Sequence, residues 1–325
     1  MPRIVIPDDA PPVMGASAAY RKLLEQTPVE YYDTLPSNEE LLIERVALAE
    51  VVINIRSSTR FTENVFRQSP ALRLLSLWGT GTDNVDLIAA ARHGVTVTNT
   101  PGVSAFSIAE HALSLMLAVA RRIPRVDSEV RRGCWPRGQG VQLHGKTLGI
   151  IGLGAVGRQL ARLGAGIGMR VIAWTMHPDP SLGFELVPLD ELLSSSDVIS
   201  MHLRLSEETR GFIGKGQLEK MRSSAILINT ARGAILDEQA LIEALASGRI
   251  AGAGLDVFEV EPLPAGHPFT RMENVVLTPH SAGVNPEALE AGLQLSIENV
   301  SNFLNARPTN VVIARSNPPH MLSNL

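Results

Sequence analysis

Thr147-Leu148-Gly149-Ile150-Ile151-Gly152-Leu153-Gly154-Ala155-Val156-Gly157-Arg158-Gln159-Leu160-Ala161-Arg162-Leu163 decides how this chain is read. An apolar run of strand length enters a glycine loop, and the loop opens a helical pattern. The first glycine, Gly152, permits the tight turn. The second, Gly154, lets a pyrophosphate approach the backbone, and the third, Gly157, lets helix and strand pack closely. Between a strand and a helix, the loop reads as a dinucleotide site and not as a glycine-rich turn.

Downstream, β-rich runs recur at Val171-Ile172-Ala173-Trp174, Val198-Ile199-Ser200-Met201, Ala225-Ile226-Leu227-Ile228, Ala253-Gly254-Leu255-Asp256 and Val275-Val276-Leu277. With the first run they predict six strands joined by helical crossovers, hence a parallel sheet. One crossover carries its own punctuation: Asp237 as N-cap, Ala240, Leu241, Ala244 and Leu245 on one face, then Gly248 as the stop. Upstream, runs at residues 3–6, 51–53, 74–77 and 95–98 alternate with helical patterns at 16–25 and 38–47, which predicts a second parallel sheet. The helix predicted over 104–122 has an almost wholly apolar middle that needs cover on more than one side, part of it from a partner subunit.

The residues after Gly283 are too few for an independent domain. A helix predicted over 286–305, with Leu289, Leu293, Ile297, Val300 and Leu304 on one face, therefore returns to complete the N-terminal sheet. The fold class expected is α/β, two Rossmann-like or flavodoxin-like parallel-sheet domains with a cleft between them. Residues 1–98 plus 286–325 form a discontinuous substrate domain, and residues 99–285 the nucleotide domain.

At 45% hydrophobic and 19% charged residues, the 325-residue chain has the balance of a soluble globular protein. A net charge of −4 leaves no electrostatic footprint for nucleic acid. The apolar stretch from Ala112 to Ala120 is about half of the roughly 20 residues that a membrane-spanning helix needs. The N-terminus reads as a first strand and not as a signal peptide, and the lone Cys134 cannot form an internal disulfide; both point to the cytoplasm. No His or Cys cluster has metal-ligand spacing.

Three polar signatures close three of the apolar runs: Asn229-Thr230-Ala231-Arg232-Gly233, Asp256-Val257-Phe258-Glu259-Val260-Glu261-Pro262 and Thr278-Pro279-His280-Ser281-Ala282-Gly283. If these strands are parallel neighbours, Arg232, Glu261 and His280 emerge on one edge of one sheet, where open α/β folds bind ligands. At the adenosine end, an acidic residue ordinarily follows the second strand to hold the ribose 2′-hydroxyl. Thr175 stands there instead, followed by Met176 and His177. That removes a carboxylate that would repel a 2′-phosphate, and tips the choice between NAD and NADP slightly toward NADP.

The chain resembles the D-isomer-specific 2-hydroxyacid dehydrogenases, which include phosphoglycerate dehydrogenases and glyoxylate/hydroxypyruvate reductases. Besides the glycine loop and the three signatures, the resemblance rests on Trp78-Gly79-Thr80-Gly81-Thr82-Asp83-Asn84-Val85-Asp86, Asn99-Thr100-Pro101 and Ser107-Ile108-Ala109-Glu110-His111. It implies a homodimeric NAD(P)-dependent oxidoreductase in which Arg232 binds the substrate carboxylate, His280 exchanges the proton at the substrate oxygen and Glu261 pairs with His280. It also implies that backbone amides around Arg56-Ser57 and Gly79-Thr80 hold the other side of the carboxylate. Cofactor contacts are expected at Ala155, Val156, Thr175, His202, Leu203, Arg204, Thr230, Ala231, Asp256 and Gly283, with Thr80 and Ile108 near the nicotinamide. Thr175 and Arg204 depart from the family pattern, which has aspartate and proline there.

The residue types suit that chemistry. Arg232 offers a planar fork that matches a carboxylate bidentately. A histidine with an intrinsic pKa of about 6.5, raised by an adjacent Glu261, keeps a proton available near neutral pH. His93, His144, His267 and His320 read as structural. Trp78 and Trp135 read first as packing residues, with Trp78 kept as candidate substrate contact. The rival reading is a nucleotide-sensing corepressor-type protein on the same fold, which would call for partner-binding extensions that the chain lacks. Related formate enzymes carry an amide where Glu261 stands.

Overall fold

Two sheets organise the computed structural model, which describes residues 2–138 and 140–314. They belong to two units, Met1–Ser104 with Asn285–Leu325, and Ala105–Val284.

In the first unit, β1 (Ile4–Ile6), β2 (Val29–Tyr31), β3 (Val51–Asn54), β4 (Leu74–Leu77) and β5 (Thr96–Thr98) pair in parallel, in the spatial order β5-β4-β3-β1-β2. This is a flavodoxin-like order. Strand Val311–Ile313 adds to β5 antiparallel. β1, β3 and β4 are buried throughout, as strands covered on both faces require. Val5, Val52 and Leu75 pack on one face with Phe61 and Phe66; Ile4, Ile6 and Ile53 pack on the other with Leu293 and Val300 of helix Pro286–Leu304. Asn285 caps that helix by accepting from Ala288 N at 2.8 Å. The face it buries is richer in small and polar residues than the predicted stripe: Ala288, Gly292, Ser296 and Asn299 are buried, whereas Leu304 is exposed.

The second unit carries β6 (Thr147–Ile151), β7 (Arg170–Trp174), β8 (Glu185–Leu186), β9 (Val198–Met201), β10 (Ile226–Asn229), β11 (Gly252–Leu255) and β12 (Val275–Leu277), all parallel, in the order β12-β11-β10-β9-β6-β7-β8. The chain moves outward one way through β7 and the other way from β9, so the strand order reverses beside β6. Helix Ala105–Arg121 packs Ala109, Ala112, Leu115 and Met116 against this sheet, and Gly254 of β11 admits it, since a Cβ there would lie 2.9 Å from Leu115 Cβ. Phe106 and Leu117 of the same helix stay exposed. Asp237 accepts from Ala240 N at 3.0 Å as N-cap, and Gly248 follows at φ +70°. β2, β8 and Val311–Ile313 were not predicted; all are short edge strands, and none is buried throughout.

Candidate active site

β10, β11 and β12 are adjacent, with Asn229, Leu255 and Leu277 in register. The three signatures therefore leave the sheet side by side at its carboxyl edge. Asn229 folds the first turn: its side chain accepts from Ala231 N and donates to Arg232 O, both at 3.0 Å. Gly233 then lets this turn touch the next loop, because a Cβ would fall 2.0 Å from the Phe258 carbonyl carbon. Arg232 donates to its neighbour's carbonyl, Ala231 O, at 2.8 Å.

His280 sits at φ +52°, a left-handed conformation that costs a non-glycine residue about 1–2 kcal/mol. Asp256 holds it there. The Asp256 carbonyl accepts from His280 N at 2.7 Å, and its fully buried carboxylate accepts from Thr278 Oγ1 at 2.6 Å and from the amides of Ser281 and Ala282 at 2.9 Å. On the far side of the loop, Ser107 Oγ donates to Ala282 O at 2.7 Å.

His280 Nδ1 lies 2.7 Å from Glu261 Oε2, and Glu261 Oε1 accepts from Phe258 N at 3.0 Å. Burial alone would raise the Glu261 carboxyl. Hydrogen bonds from His280 and Phe258, with the charges of His280 and Arg232, outweigh it and hold the group below the usual range. An ionised carboxylate only accepts, so His280 Nδ1 carries a proton and Nε2 is the nitrogen presented to a substrate.

The glycine loop has the geometry a pyrophosphate needs. Gly152 is at φ +100°, and a Cβ would lie 2.7 Å from His202 O across β6 and β9. A Cβ on Gly157 would fall 2.0 Å from Gly152 O, so the helix can pack on the strand only with glycine there. Gly154, by contrast, faces open space and caps helix Ala155–Gly166 with no side chain. The amides of Ala155, Val156 and Gly157 are thus the open donors of a helix N-terminus. Thr230 Oγ1, buried at the end of β10, has no partner among the described residues. An open cradle and an orphaned hydroxyl at one sheet edge fit a dinucleotide.

Thr175 follows β7 directly; Met176, His177 and Arg204 are exposed on the same edge, and Leu203, Ala231 and Gly283 are half-buried there. His202 is pushed down to about 3 by burial, so its imidazole is neutral, and Nε2 lies 2.9 Å from Ser200 Oγ. Arg158 was not singled out from the sequence, yet its guanidinium reaches back to Leu153 O at 2.8 Å and sets a cation beside the glycine loop. Its place one residue past the third glycine was the available signal. Ile108 lies in the first turn of helix Ala105–Arg121, next to Ser107.

In the first unit, the expected substrate amides are partly committed elsewhere. Buried Asp8, at the end of β1, accepts from Ile55 N at 3.0 Å and Arg56 N at 3.1 Å. Gly79 N donates to Thr100 Oγ1 at 2.7 Å. The Arg56 guanidinium lies 3.6 Å from buried Asp9 and donates to Pro11 O. That leaves the amides of Ser57 and Thr80, which have no partner among the described residues. Trp78 packs its indole edge on Gly292, where a Cβ would be 2.1 Å from Nε1.

His93 pairs with Glu63 at 3.8 Å, His267 with Glu238 at 3.1 Å, and His144 packs over Gly168. His320 lies outside the described residues. Trp135 departs from its packing expectation: it is 80% exposed among the described residues. Among the described residues no group of three or more His, Cys, Asp or Glu could hold a metal ion, and no helix is long and apolar enough to cross a membrane.

Residues 113–282 match the family model described as D-isomer specific 2-hydroxyacid dehydrogenase, NAD binding domain. A glyoxylate reductase of Korarchaeum cryptofilum is 39% identical over 301 residues, 88% of this chain and 90% of that protein. A D-3-phosphoglycerate dehydrogenase of Archaeoglobus fulgidus is 41% identical over 278 residues, 83% of this chain but 52% of that longer protein. Among solved structures, the TT0316 protein from Thermus thermophilus superposes with a TM-score of 0.87 at 34% identity, covering 96% of this chain and all of that one.

Proposed function

The chain belongs to the D-isomer-specific 2-hydroxyacid dehydrogenases, and on that premise we propose that it reduces a small 2-keto acid to the D-2-hydroxy acid at the carboxyl edge of β10, β11 and β12. The observation that carries this reading is the 2.7 Å bond between His280 and Glu261 on an edge shared with Arg232 and the glycine loop.

The amides at the start of helix Ala155–Gly166 and Thr230 Oγ1 would hold the dinucleotide, whose reduced nicotinamide supplies the hydride. Arg232 binds the substrate carboxylate in a bidentate fork and fixes which face of the carbonyl is presented. In the first unit, the Ser57 and Thr80 amides remain open to an anion. As negative charge develops on the carbonyl oxygen, His280 Nε2 gives up its proton, and the Glu261 carboxylate keeps the imidazole in the orientation that does so. In the reverse direction the same nitrogen takes the proton back.

Glyoxylate and hydroxypyruvate are the substrates that the relatives' names favour. Thr175 at the end of β7 supports NADPH as the preferred donor. The exposed Phe106 and Leu117 support a homodimer that covers helix Ala105–Arg121, and a single cysteine suits a cytoplasmic enzyme. The corepressor-type reading is not favoured, since the relatives are reductases and dehydrogenases.

Glyoxylate, hydroxypyruvate, pyruvate and a phenyl-substituted keto acid, each assayed with NADH and with NADPH by loss of reduced-nicotinamide absorbance, test this reading. Turnover of at least one small keto acid, faster with NADPH, is expected. No turnover of any would overturn the activity, and a strong NADH preference would overturn the cofactor assignment.

A further inference from the structure

We propose that His111 is a positioning residue for His280, acting through Thr278 and Asp256 on the backbone that carries it; this rests on the acid/base reading of His280 given above. His111 lies on helix Ala105–Arg121, with Nε2 at 2.9 Å from Thr278 Oγ1 and 3.5 Å from Asp256 Oδ1. Thr278 has one hydroxyl proton, and it goes to Asp256 Oδ1 at 2.6 Å. The Thr278 oxygen can then only accept from His111, which places a proton on His111 Nε2.

Donation therefore runs in one direction, from His111 to Thr278 to Asp256. Asp256 is the group that folds the following residues, through its carbonyl to His280 N and its carboxylate to the amides of Ser281 and Ala282. Positions 107 and 111 share a helix face, and from that face Ser107 ties down Ala282 O while His111 ties down Thr278. One helix thus fastens the loop on both sides of His280, the residue in the left-handed conformation. If the loop relaxed toward ordinary φ, the Cα–Cβ bond of His280 would swing and its ring would leave Glu261.

The test compares kcat, KM and cofactor affinity of His111→Leu, His111→Gln and Thr278→Val in the intact protein, with His280→Ala as reference. His111→Leu removes the donor and is expected to lower kcat about tenfold, as a small misplacement of a catalytic group does, with keto-acid KM and cofactor Kd within about twofold. His111→Gln, whose amide still donates, should recover at least half of the wild-type kcat. Thr278→Val should match the loss in His111→Leu, and the double variant should lose no more than either alone, because both cut the same chain of groups. If His111→Leu fails to fold, Thr278→Val and His111→Gln still decide the matter. Wild-type kcat in His111→Leu or in Thr278→Val, equal losses in the leucine and glutamine variants, or a loss confined to melting temperature would each overturn the proposal. An inactive His280→Ala beside such a result leaves the acid/base reading standing; a fully active His280→Ala overturns that reading instead.

Discussion

Asp8 and Asp256 solve the same problem in the two sheets and present different chemistry by doing so. Each is a buried carboxylate at the carboxyl end of a strand, and each accepts two consecutive backbone amides of a loop from another strand: Ile55 and Arg56 for Asp8, Ser281 and Ala282 for Asp256. The loop on Asp256 is turned so that a side chain, His280, projects from a left-handed residue. The loop on Asp8 keeps its own arginine folded back toward Asp9 and Pro11, so what it offers is backbone. One edge presents side chains and the other backbone, although both are built by the same device.

The largest expected contrast is between the two arginines. Arg232→Ala should lower kcat/KM for the keto acid by about 10² to 10³, the loss of a charge-assisted fork worth roughly 3–4 kcal/mol in the transition state. Arg56→Ala should leave kcat within about threefold and appear instead as a lower melting temperature, since its partner Asp9 is buried. A large kcat loss in Arg56→Ala would break the distinction between the two edges.

A subtler contrast comes from Asp256→Asn and Asp8→Asn. Each turns one accepting oxygen into a donor that faces an amide N–H, at a cost of about 1–3 kcal/mol in stability. Asp256→Asn should fall mainly on kcat, by about tenfold, because His280 is displaced. Asp8→Asn should fall mainly on the keto-acid KM. Steady-state kinetics beside thermal melts separate them, and the same kinetic signature in both variants would show that the edges are not functionally distinct.

These pairs also mark what the sequence could and could not disclose. The glycine loop, the strand-end signatures and the parallel sheets were legible because each is a local pattern: apolar runs of strand length, glycines at fixed offsets, caps such as Asp237. The roles of Asp8, Ser107 and His111 were not, because each exists only when distant segments meet. Asp8 and Arg56 are 48 residues apart, and His111 and Thr278 are 167 apart. The expected amides at Arg56 and Gly79 illustrate the difference. Their position at strand ends was readable, but their capture by Asp8 and Thr100 was not. The edge strands β2 and β8 escaped for a plainer reason, since half-exposed strands of two or three residues carry little hydrophobic signal.

The smallest effect on turnover concerns the buried groups' protons, which act on stability. Burial lowers His202 from 6.5 to about 3 in the folded state. Between those values the unfolded chain binds a proton that the folded one refuses, so stability from this group is complete above pH 6.5 and is lost as pH falls toward 3. Asp8 has the opposite sign: burial, its main influence, raises it from 3.8 against the hydrogen bonds it accepts, so its contribution declines as pH rises through the raised value. His202→Gln should flatten the acid side of the stability curve, measured by denaturant unfolding across pH, and leave it unchanged above 6.5. An identical slope in the variant would contradict the neutral assignment of His202.

The central claim is that His280 on the side-chain edge moves the proton while Arg232 and the rest of the molecule bind and orient. Its most direct test is keto-acid reduction by His280→Ala alongside cofactor titration by nicotinamide fluorescence. Loss of turnover by at least about a hundredfold, the usual contribution of a positioned acid, with cofactor Kd unchanged, is the expected result; turnover within a few fold of wild type would contradict it.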